Sequence, residues 1–163
     1  MDKILDVEKA IRVAEKLRKQ KKEIVLVGGC FDILHVGHIT FLKNAKKRGD
    51  VLFVLLENDR SVQQKKGKDR PIYNQKDRAK VLETIGMVDY IIPLPLFSTD
   101  KQYDKLIFQL KPTIIATTKG DPNRKHKERQ ATLMGVGVVD VIKRLPNKST
   151  SGLAKTLAKK NEL

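Results

Sequence analysis

The chain is poor in cysteine and in aromatic residues, and each shortage excludes a class of protein. Its 163 residues include one Cys and no Trp, and only 5% are aromatic. A single Cys excludes an internal disulfide, and few aromatic side chains argue against a stacking platform for single-stranded nucleic acid. The sequence also lacks an apolar run near the ~20 residues that cross a bilayer and a signal-peptide pattern at its start. We therefore expect a cytoplasmic protein without membrane contact.

Acidic residues are also outnumbered, which bears on the partners. Lys and Arg total 34 against 19 Asp and Glu, so the formal net charge is 34 − 19 = +15. Such an excess favours anionic partners, namely nucleotides, phosphorylated metabolites or nucleic acid. The charge alone does not choose among them. A length of 163 residues fits one compact domain with a real core.

Short apolar runs alternate with helical patterns along the chain. Strands are predicted at residues 24–27, 51–56, 90–92, 113–117 and 138–142. Helices are predicted at residues 6–21, 36–47, 74–85, 101–110 and 124–134, with a last one from Ser151. The polar, basic residues 63–73 predict a loop. This order predicts a single α/β domain over residues 1–163, with a lead-in helix in residues 1–22 and a core in residues 23–160. The core is expected to be a Rossmann-like, doubly wound, five-stranded parallel sheet with helices on both faces.

The segment Gly28-Gly-Cys-Phe-Asp-Ile-Leu-His-Val-Gly-His38 joins the first predicted strand to a helix. Backbone N–H groups and the positive end of the helix dipole then meet at one spot, which favours phosphate. His35 and His38, three residues apart, can aim donors at the same spot. No acid/base pair accompanies them, and Cys30 has no better-placed base that would make it a nucleophile. The segment therefore indicates chemistry at a nucleotide phosphate.

Several segments, in order, resemble a known family. They are Gly29-Cys-Phe-Asp-Ile-Leu-His-Val-Gly-His38, Ala45-Lys-Lys-Arg-Gly-Asp50, Glu57-Asn-Asp-Arg-Ser-Val62, Lys66-Gly-Lys-Asp-Arg-Pro71, Asp77-Arg78 before Leu82-Glu-Thr-Ile85, Val88-Asp89, Lys119-Gly-Asp121 and Lys148-Ser-Thr-Ser151. The chain resembles the small cytidylyltransferase-like nucleotidyltransferases with an HxGH motif, which include glycerol-3-phosphate cytidylyltransferase and D-glycero-D-manno-heptose-1-phosphate adenylyltransferase. The lead-in helix, Gly-Cys-Phe-Asp and Lys-Gly-x-x-Arg-Pro are most similar to the heptose branch.

The resemblance implies a reaction. A phosphate oxygen of a small phosphorylated substrate would attack the α-phosphorus of a nucleoside triphosphate accompanied by Mg²⁺, and pyrophosphate would leave. We expect ATP and a sugar phosphate such as heptose 1-phosphate. CTP with glycerol 3-phosphate or another polyol phosphate, and ATP with FMN as in archaeal-type FAD synthases, stay open as alternatives.

The resemblance also implies roles for individual residues. His35 and His38 would contact the triphosphate and stabilise the transition state, and Lys66 would close over it. The remaining expected contacts are phosphate or nucleotide binding by Gly29, Cys30, Phe31, Arg78, Lys119, Gly120, Asp121, Ser149, Thr150 and Ser151, and substrate binding by Asp32 and Asp59. No protein-bound metal is expected. The family habit, together with apolar Leu94, Leu96 and Phe97, predicts a homodimer.

Two other readings of these residues compete with the enzyme. A zinc site would need Cys30 or His126 beside the histidine pair. A nucleic-acid-binding domain would use the positive charge, and its binding would fall steeply with salt, whereas turnover of a small phosphate ester would change little. The histidine pair behind a strand and two glycines favours the nucleotide, so no nucleic-acid partner is expected.

Overall fold

Five strands and six helices alternate in the computed structural model, which describes residues 2–143, 152, 155 and 156. The strands are β1 (Ile24–Gly29), β2 (Val51–Leu56), β3 (Tyr90–Pro93), β4 (Ile114–Lys119) and β5 (Gly137–Lys143). The helices are α1 (Val7–Lys19), α2 (Val36–Lys46), α3 (Asp59–Lys66), α4 (Gln75–Glu83), α5 (Asp100–Leu110) and α6 (Arg124–Met134).

The strands form one parallel sheet in the order β3-β2-β1-β4-β5. Side chains alternate along β1: Val25 and Val27 join a core cluster with Leu42 of α2, whereas Ile24 and Leu26 join a second cluster with α5. Helices therefore cover both faces, as near-continuous apolar parallel strands require. The prediction of a Rossmann-like, doubly wound five-stranded sheet is confirmed.

Helix α1 lies against the second cluster. The side chain of Asp6 accepts a hydrogen bond from the Lys9 amide and caps its first turn, and Ala10 and Ala14 are fully buried. Small residues on the buried face let the helix approach β3 and α5 closely. Ahead of the helix, Ile4 bridges Ile91 of β3, which extends the sheet edge by one residue pair.

The structure corrects the sequence prediction in two places. Strand β1 continues through Gly28 and Gly29, which pair with Leu55 and Leu56, so the turn begins at Cys30. A loop was predicted at residues 63–73, but helix α3 continues to Lys66, so the loop begins only at Gly67. The first turn of α3 is capped by Asn58, whose side chain accepts from the Arg60 amide.

The apolar stretch expected to form a dimer contact is mostly internal. Leu94 is buried, and the Phe97 ring packs edge-on against Tyr103 with centroids 4.9 Å apart. Only Leu96 of the three is exposed. The homodimer stays a prediction, without the exposed patch that motivated it. The helix predicted from Ser151 falls largely outside the described residues.

Candidate active site

A cleft of about 1000 Å³ opens at the carboxyl ends of the central strands. Strand β1 lies between β2 and β4, and the connections leaving these strands run to opposite sides, which is where open α/β sheets bind ligands. The volume is at the upper end for ligand pockets and leaves room for two ligands. Of the predicted site residues, the cleft is lined by Gly29, Cys30, Phe31, His35, His38, Lys66, Gly120 and Asp121.

The two histidines lie side by side at the start of α2. Nδ1 of His35 accepts from the Gly37 amide at 3.1 Å, and Nδ1 of His38 accepts from the His35 amide at 3.3 Å. The ring centroids are 4.0 Å apart. Because Nδ1 is an acceptor in both rings, each neutral imidazole carries its proton on Nε2. The pair thus caps the helix and supplies N–H donors to the cleft.

His38 is neutral in the free protein. Burial first, and then the neighbouring His35 and Lys66, lower its pKa from the usual 6.5 to about 4. At neutral pH the ring therefore acts through its hydrogen-bond donor rather than through a positive charge. A bound triphosphate would oppose both effects, because its negative charge favours the imidazolium.

We expect the C–H resonances of His38 to titrate well below pH 6 in the free protein and at higher pH once a triphosphate is bound. Between about pH 4 and 6.5 the native state holds fewer protons on His38 than the unfolded state does. The contribution of His38 to the free energy of unfolding is therefore full above pH 6.5 and is lost as the pH falls through that window. NMR titration with and without ATP checks both pKa values, with His38→Asn used to assign the resonances. A free-protein pKa at or above 6.5 would contradict the burial argument.

The turn after β1 is shaped by contact between Gly29 and Phe31. Phe31 has φ 45°, is buried, and its ring centroid lies 5.5 Å from that of His38. A Cβ on Gly29 would lie 2.9 Å from the Phe31 ring, closer than real contacts allow. The glycine therefore lets the ring fold back under the turn. Cys30 lies between them, and burial raises the pKa of its thiol.

Arg78 lies outside the cleft lining and is fully buried. Its guanidinium donates to the carbonyl oxygens of Tyr73 at 3.0 Å, Glu57 at 2.8 Å and Cys30, and to the Asp59 carboxylate at 2.6 Å. The three carbonyl oxygens belong to three separate loops, and Asp59 is the first residue of α3. Arg78 and Asp59 thus hold together segments that surround the cleft, and the phosphate and substrate contacts expected of them stay predictions.

Asp32 has a similar supporting position. Its carboxylate is buried and accepts from Arg70 at 2.7 Å and from the Ile72 and Tyr73 amides. Burial alone would raise the pKa of Asp32, but these hydrogen bonds outweigh it and the pKa is lowered. Asp32 thus joins the loop after β1 to the loop before α4, and the substrate contact expected of it stays a prediction.

The turn after β4 contributes a second internal network. The Asp121 carboxylate accepts from Lys127 and from the Thr117 hydroxyl at 2.7 Å. Burial would raise the pKa of Asp121, and these two hydrogen bonds lower it. Lys119 is exposed at the end of β4, away from the cleft lining among the described residues. Ser149, Thr150 and Ser151 lie outside the described residues.

Two cleft residues escaped the sequence prediction. Glu57 follows β2 and Tyr103 lies on α5; the Tyr103 hydroxyl donates to Glu57 Oε2 at 2.9 Å, and Lys65 Nζ donates to Oε1 at 2.7 Å. The signal available in the sequence was an acidic residue directly after a buried strand, at the edge where ligands bind. Lys66 also lines the cleft, but from the last turn of α3 and not from a loop.

The alternative of a zinc site can be compared with the positions of the histidine, cysteine and carboxylate side chains. Within the described part of the chain, no three His, Cys, Asp or Glu side chains lie together as metal ligands. His126 instead pairs with Asp100 at 3.4 Å. The described helices also include none long and apolar enough to cross a membrane.

Sequence comparison gives the family. The model described as cytidylyltransferase-like matches residues 26–155, which include the sheet and the histidine pair. The chain belongs to the cytidylyltransferase-like family. This confirms the resemblance drawn from the sequence.

The curated relatives are longer proteins. The bifunctional protein HldE of Nitratiruptor sp. is 38% identical over 154 residues, covering 94% of this chain and 32% of the relative. HldE of Methylobacillus flagellatus is 36% identical, covering 96% and 31%, and that of Helicobacter pylori strain J99 is 44% identical, covering 69% and 23%. The chain therefore spans less than a third of these relatives.

Two solved structures share the fold. A lipopolysaccharide core biosynthesis protein from Thermoplasma volcanium GSS1 gives a TM-score of 0.61 at 27% identity, covering 76% of this chain and 97% of that one. Pantoate-beta-alanine ligase from Francisella tularensis gives a TM-score of 0.64 at 17% identity, covering 88% and 68%. At that identity the second likeness concerns the fold alone.

Proposed function

We propose that the chain transfers a nucleotidyl group from a nucleoside triphosphate, ATP in the first place, to a sugar phosphate of the heptose 1-phosphate kind, with release of pyrophosphate. The observation that carries the proposal is the histidine pair at the helix start, beside the glycine end of β1, with His38 kept neutral by its low pKa. Both rings supply N–H donors beside the turn that favours phosphate, and this arrangement suits transfer of a phosphorus centre.

The reaction needs positioning more than proton transfer. A phosphate monoester has a second pKa of about 6 and is largely dianionic at neutral pH, so its oxygen can attack the α-phosphorus without a base. A new P–O bond forms, the bond from the α-phosphorus to the bridging oxygen breaks, and pyrophosphate leaves with the electron pair. His35, His38 and Lys66 would stabilise the charge that accumulates on the triphosphate oxygens.

Mg²⁺ would enter with the triphosphate. The carboxylates of Glu57 and Asp121 already accept hydrogen bonds from other side chains, so they do not form a preformed cage. Mg²⁺ favours phosphate oxygens and water with one or two carboxylates, and this donor set fits a cation held mainly by the nucleotide, with Asp121 as the nearby carboxylate on the β4 side. The ion would neutralise part of the triphosphate charge.

The substrate pair is testable by a crossed panel. With Mg²⁺, four nucleoside triphosphates are each combined with heptose 1-phosphate, glycerol 3-phosphate and FMN, and pyrophosphate release is measured. We expect the highest kcat/KM for ATP with heptose 1-phosphate, because the Gly-Cys-Phe-Asp and Lys-Gly-x-x-Arg-Pro segments resemble that branch and the HldE relatives match along most of the chain.

The control for the panel is each triphosphate without an acceptor, which measures hydrolysis alone. A best pairing of CTP with glycerol 3-phosphate, or of ATP with FMN, would keep the reaction class and replace the substrates. If no pairing releases pyrophosphate and calorimetry detects no triphosphate binding, the nucleotidyltransferase proposal is wrong.

A further inference from the structure

The cleft has two sides that differ in chemistry. The side next to β2, which we call the β2–α5 side, is lined by Glu57, Gln64, Phe97 and Tyr103. The side next to β4 is lined by Thr118, Asp121, Lys127 and Lys143. The glycine end of β1 and the histidine pair lie between them. If two ligands react at the histidine pair, one of them can occupy the β2–α5 side of the cleft and the other the side next to β4.

Glu57 is held in place on the β2–α5 side. Its side chain is only 13% exposed. Tyr103 and Lys65 each donate to one of its carboxylate oxygens, and Arg78 fixes its backbone carbonyl. A carboxylate can accept about four hydrogen bonds, so capacity for ligand donors remains. The group is oriented before any ligand arrives, which lowers the entropy lost on binding.

The surroundings of Glu57 suit a particular kind of donor. Burial and the adjacent Glu57 charge raise the pKa of Tyr103, so its phenol stays protonated. A fixed carboxylate accepts strongly from neutral hydroxyls and repels a second anionic group. The Phe97 and Tyr103 rings, which pack edge-on, supply an apolar surface for the C–H face of a sugar. A polyhydroxylated ligand matches this combination.

The phosphate of the same ligand has a place nearby. Lys66 and Lys65 are consecutive in the last turn of α3, and both line the cleft. Lys66 lines the cleft together with Cys30 and His38, and its charge acts on both of these residues. A ligand with its hydroxyls at Glu57 can therefore direct its phosphate toward Lys66 and the reacting centre.

We propose that the β2–α5 side is the acceptor subsite, where Glu57 and Tyr103 select a sugar or polyol monophosphate by its hydroxyl groups. The proposal rests on the nucleotidyltransferase function proposed above and adds which residues choose the acceptor. The nucleoside triphosphate then occupies the β4 side. Substitutions at Glu57 consequently affect the acceptor and leave the nucleotide alone.

The test uses Glu57→Gln, which keeps the shape and removes the charge. We expect KM for the best acceptor of the panel to rise roughly 10- to 100-fold, the range for loss of hydrogen bonds to a charged group, with the triphosphate Kd from calorimetry unchanged. Tyr103→Phe should give a smaller rise in the same direction. Glu15→Gln, which alters an exposed glutamate of α1, is the matched control and should leave both constants unchanged.

A set of acceptors that each lack one hydroxyl distinguishes recognition from structural support. The wild type should lose kcat/KM for at least one deoxy acceptor, and Glu57→Gln should lose that preference. If Glu57→Gln does not fold, Tyr103→Phe, which removes one hydroxyl, carries the same test.

Three outcomes would overturn the proposal: an acceptor KM unchanged in Glu57→Gln, a change confined to the triphosphate Kd, or a preference among deoxy acceptors that the variant retains. Each would leave the nucleotidyltransferase function standing as long as the wild type turns over. Absence of any turnover by the wild type would instead remove the proposed function, and the acceptor subsite with it.

Discussion

Replacing His35 or His38 with Ala is expected to lower kcat by roughly 10²-fold or more, the usual loss when a transition-state donor is removed. Both rings supply an Nε2–H to the cleft because their Nδ1 atoms accept backbone amides. Steady-state kinetics with the best substrate pair measures the effect, and circular dichroism confirms that the variant is folded.

The histidines also cap α2, so the two roles need separate controls. An Asn side chain can accept the same amide hydrogen bonds through Oδ1, but it has no group at the position of Nε2. His35→Asn and His38→Asn should therefore keep the stability of the wild type and lose activity nearly as far as the Ala variants. Wild-type turnover in a folded Ala variant would exclude the residue from the chemistry.

Replacing Arg78 with Ala is expected to lower the free energy of unfolding by about 3–5 kcal/mol, because each buried group left without its hydrogen-bond partner costs about 1–3 kcal/mol. The guanidinium is fully buried and bonds to three carbonyl oxygens as well as to Asp59. Its loss leaves those carbonyls without a donor and opens a cavity. Urea unfolding measures the change.

Arg48→Ala is the matched control, because Arg48 is exposed and such substitutions stay within about 0.5 kcal/mol. The free energy of unfolding of Arg78→Lys should lie between those of the two Ala variants, since an ammonium group keeps the charge but cannot bond to all the partners of the planar guanidinium. A stable Arg78→Ala protein with weakened triphosphate binding would support the phosphate role expected from the sequence.

The sheet could be predicted because its signals are local. Each strand is a short apolar run next to a turn residue, and the histidine motif lies directly between β1 and α2. Helix α3 was missed because its sequence, DRSVQQKK, has a single apolar residue, Val62. Its position depends on the Asn58 cap and on packing of Val62, and neither gives a helical period.

Roles that depend on long-range partners could not be read from the sequence. Arg78 and Asp32 were expected to bind ligands because the family resemblance implies those roles. The structure instead brings Arg78 to Cys30, 48 positions away, and Asp32 to Arg70, 38 positions away. The pairing of Glu57 with Tyr103 across 46 positions escaped for the same reason. Sequence pattern located the cleft, and tertiary contacts decided which polar residues face it.

The fold of the Phe31 ring under Gly29 limits how this chain can change over evolutionary time. A Cβ at position 29 would lie 2.9 Å from the ring, and a smaller residue at position 31 would leave a cavity beside His38. Each substitution made alone is therefore expected to destabilise the turn, and the two together relieve each other because the smaller residue makes room for the Cβ. Lineages that carry this turn should therefore exchange the two residues as a pair, and a variant altered at one of them should recover through a second change at the other.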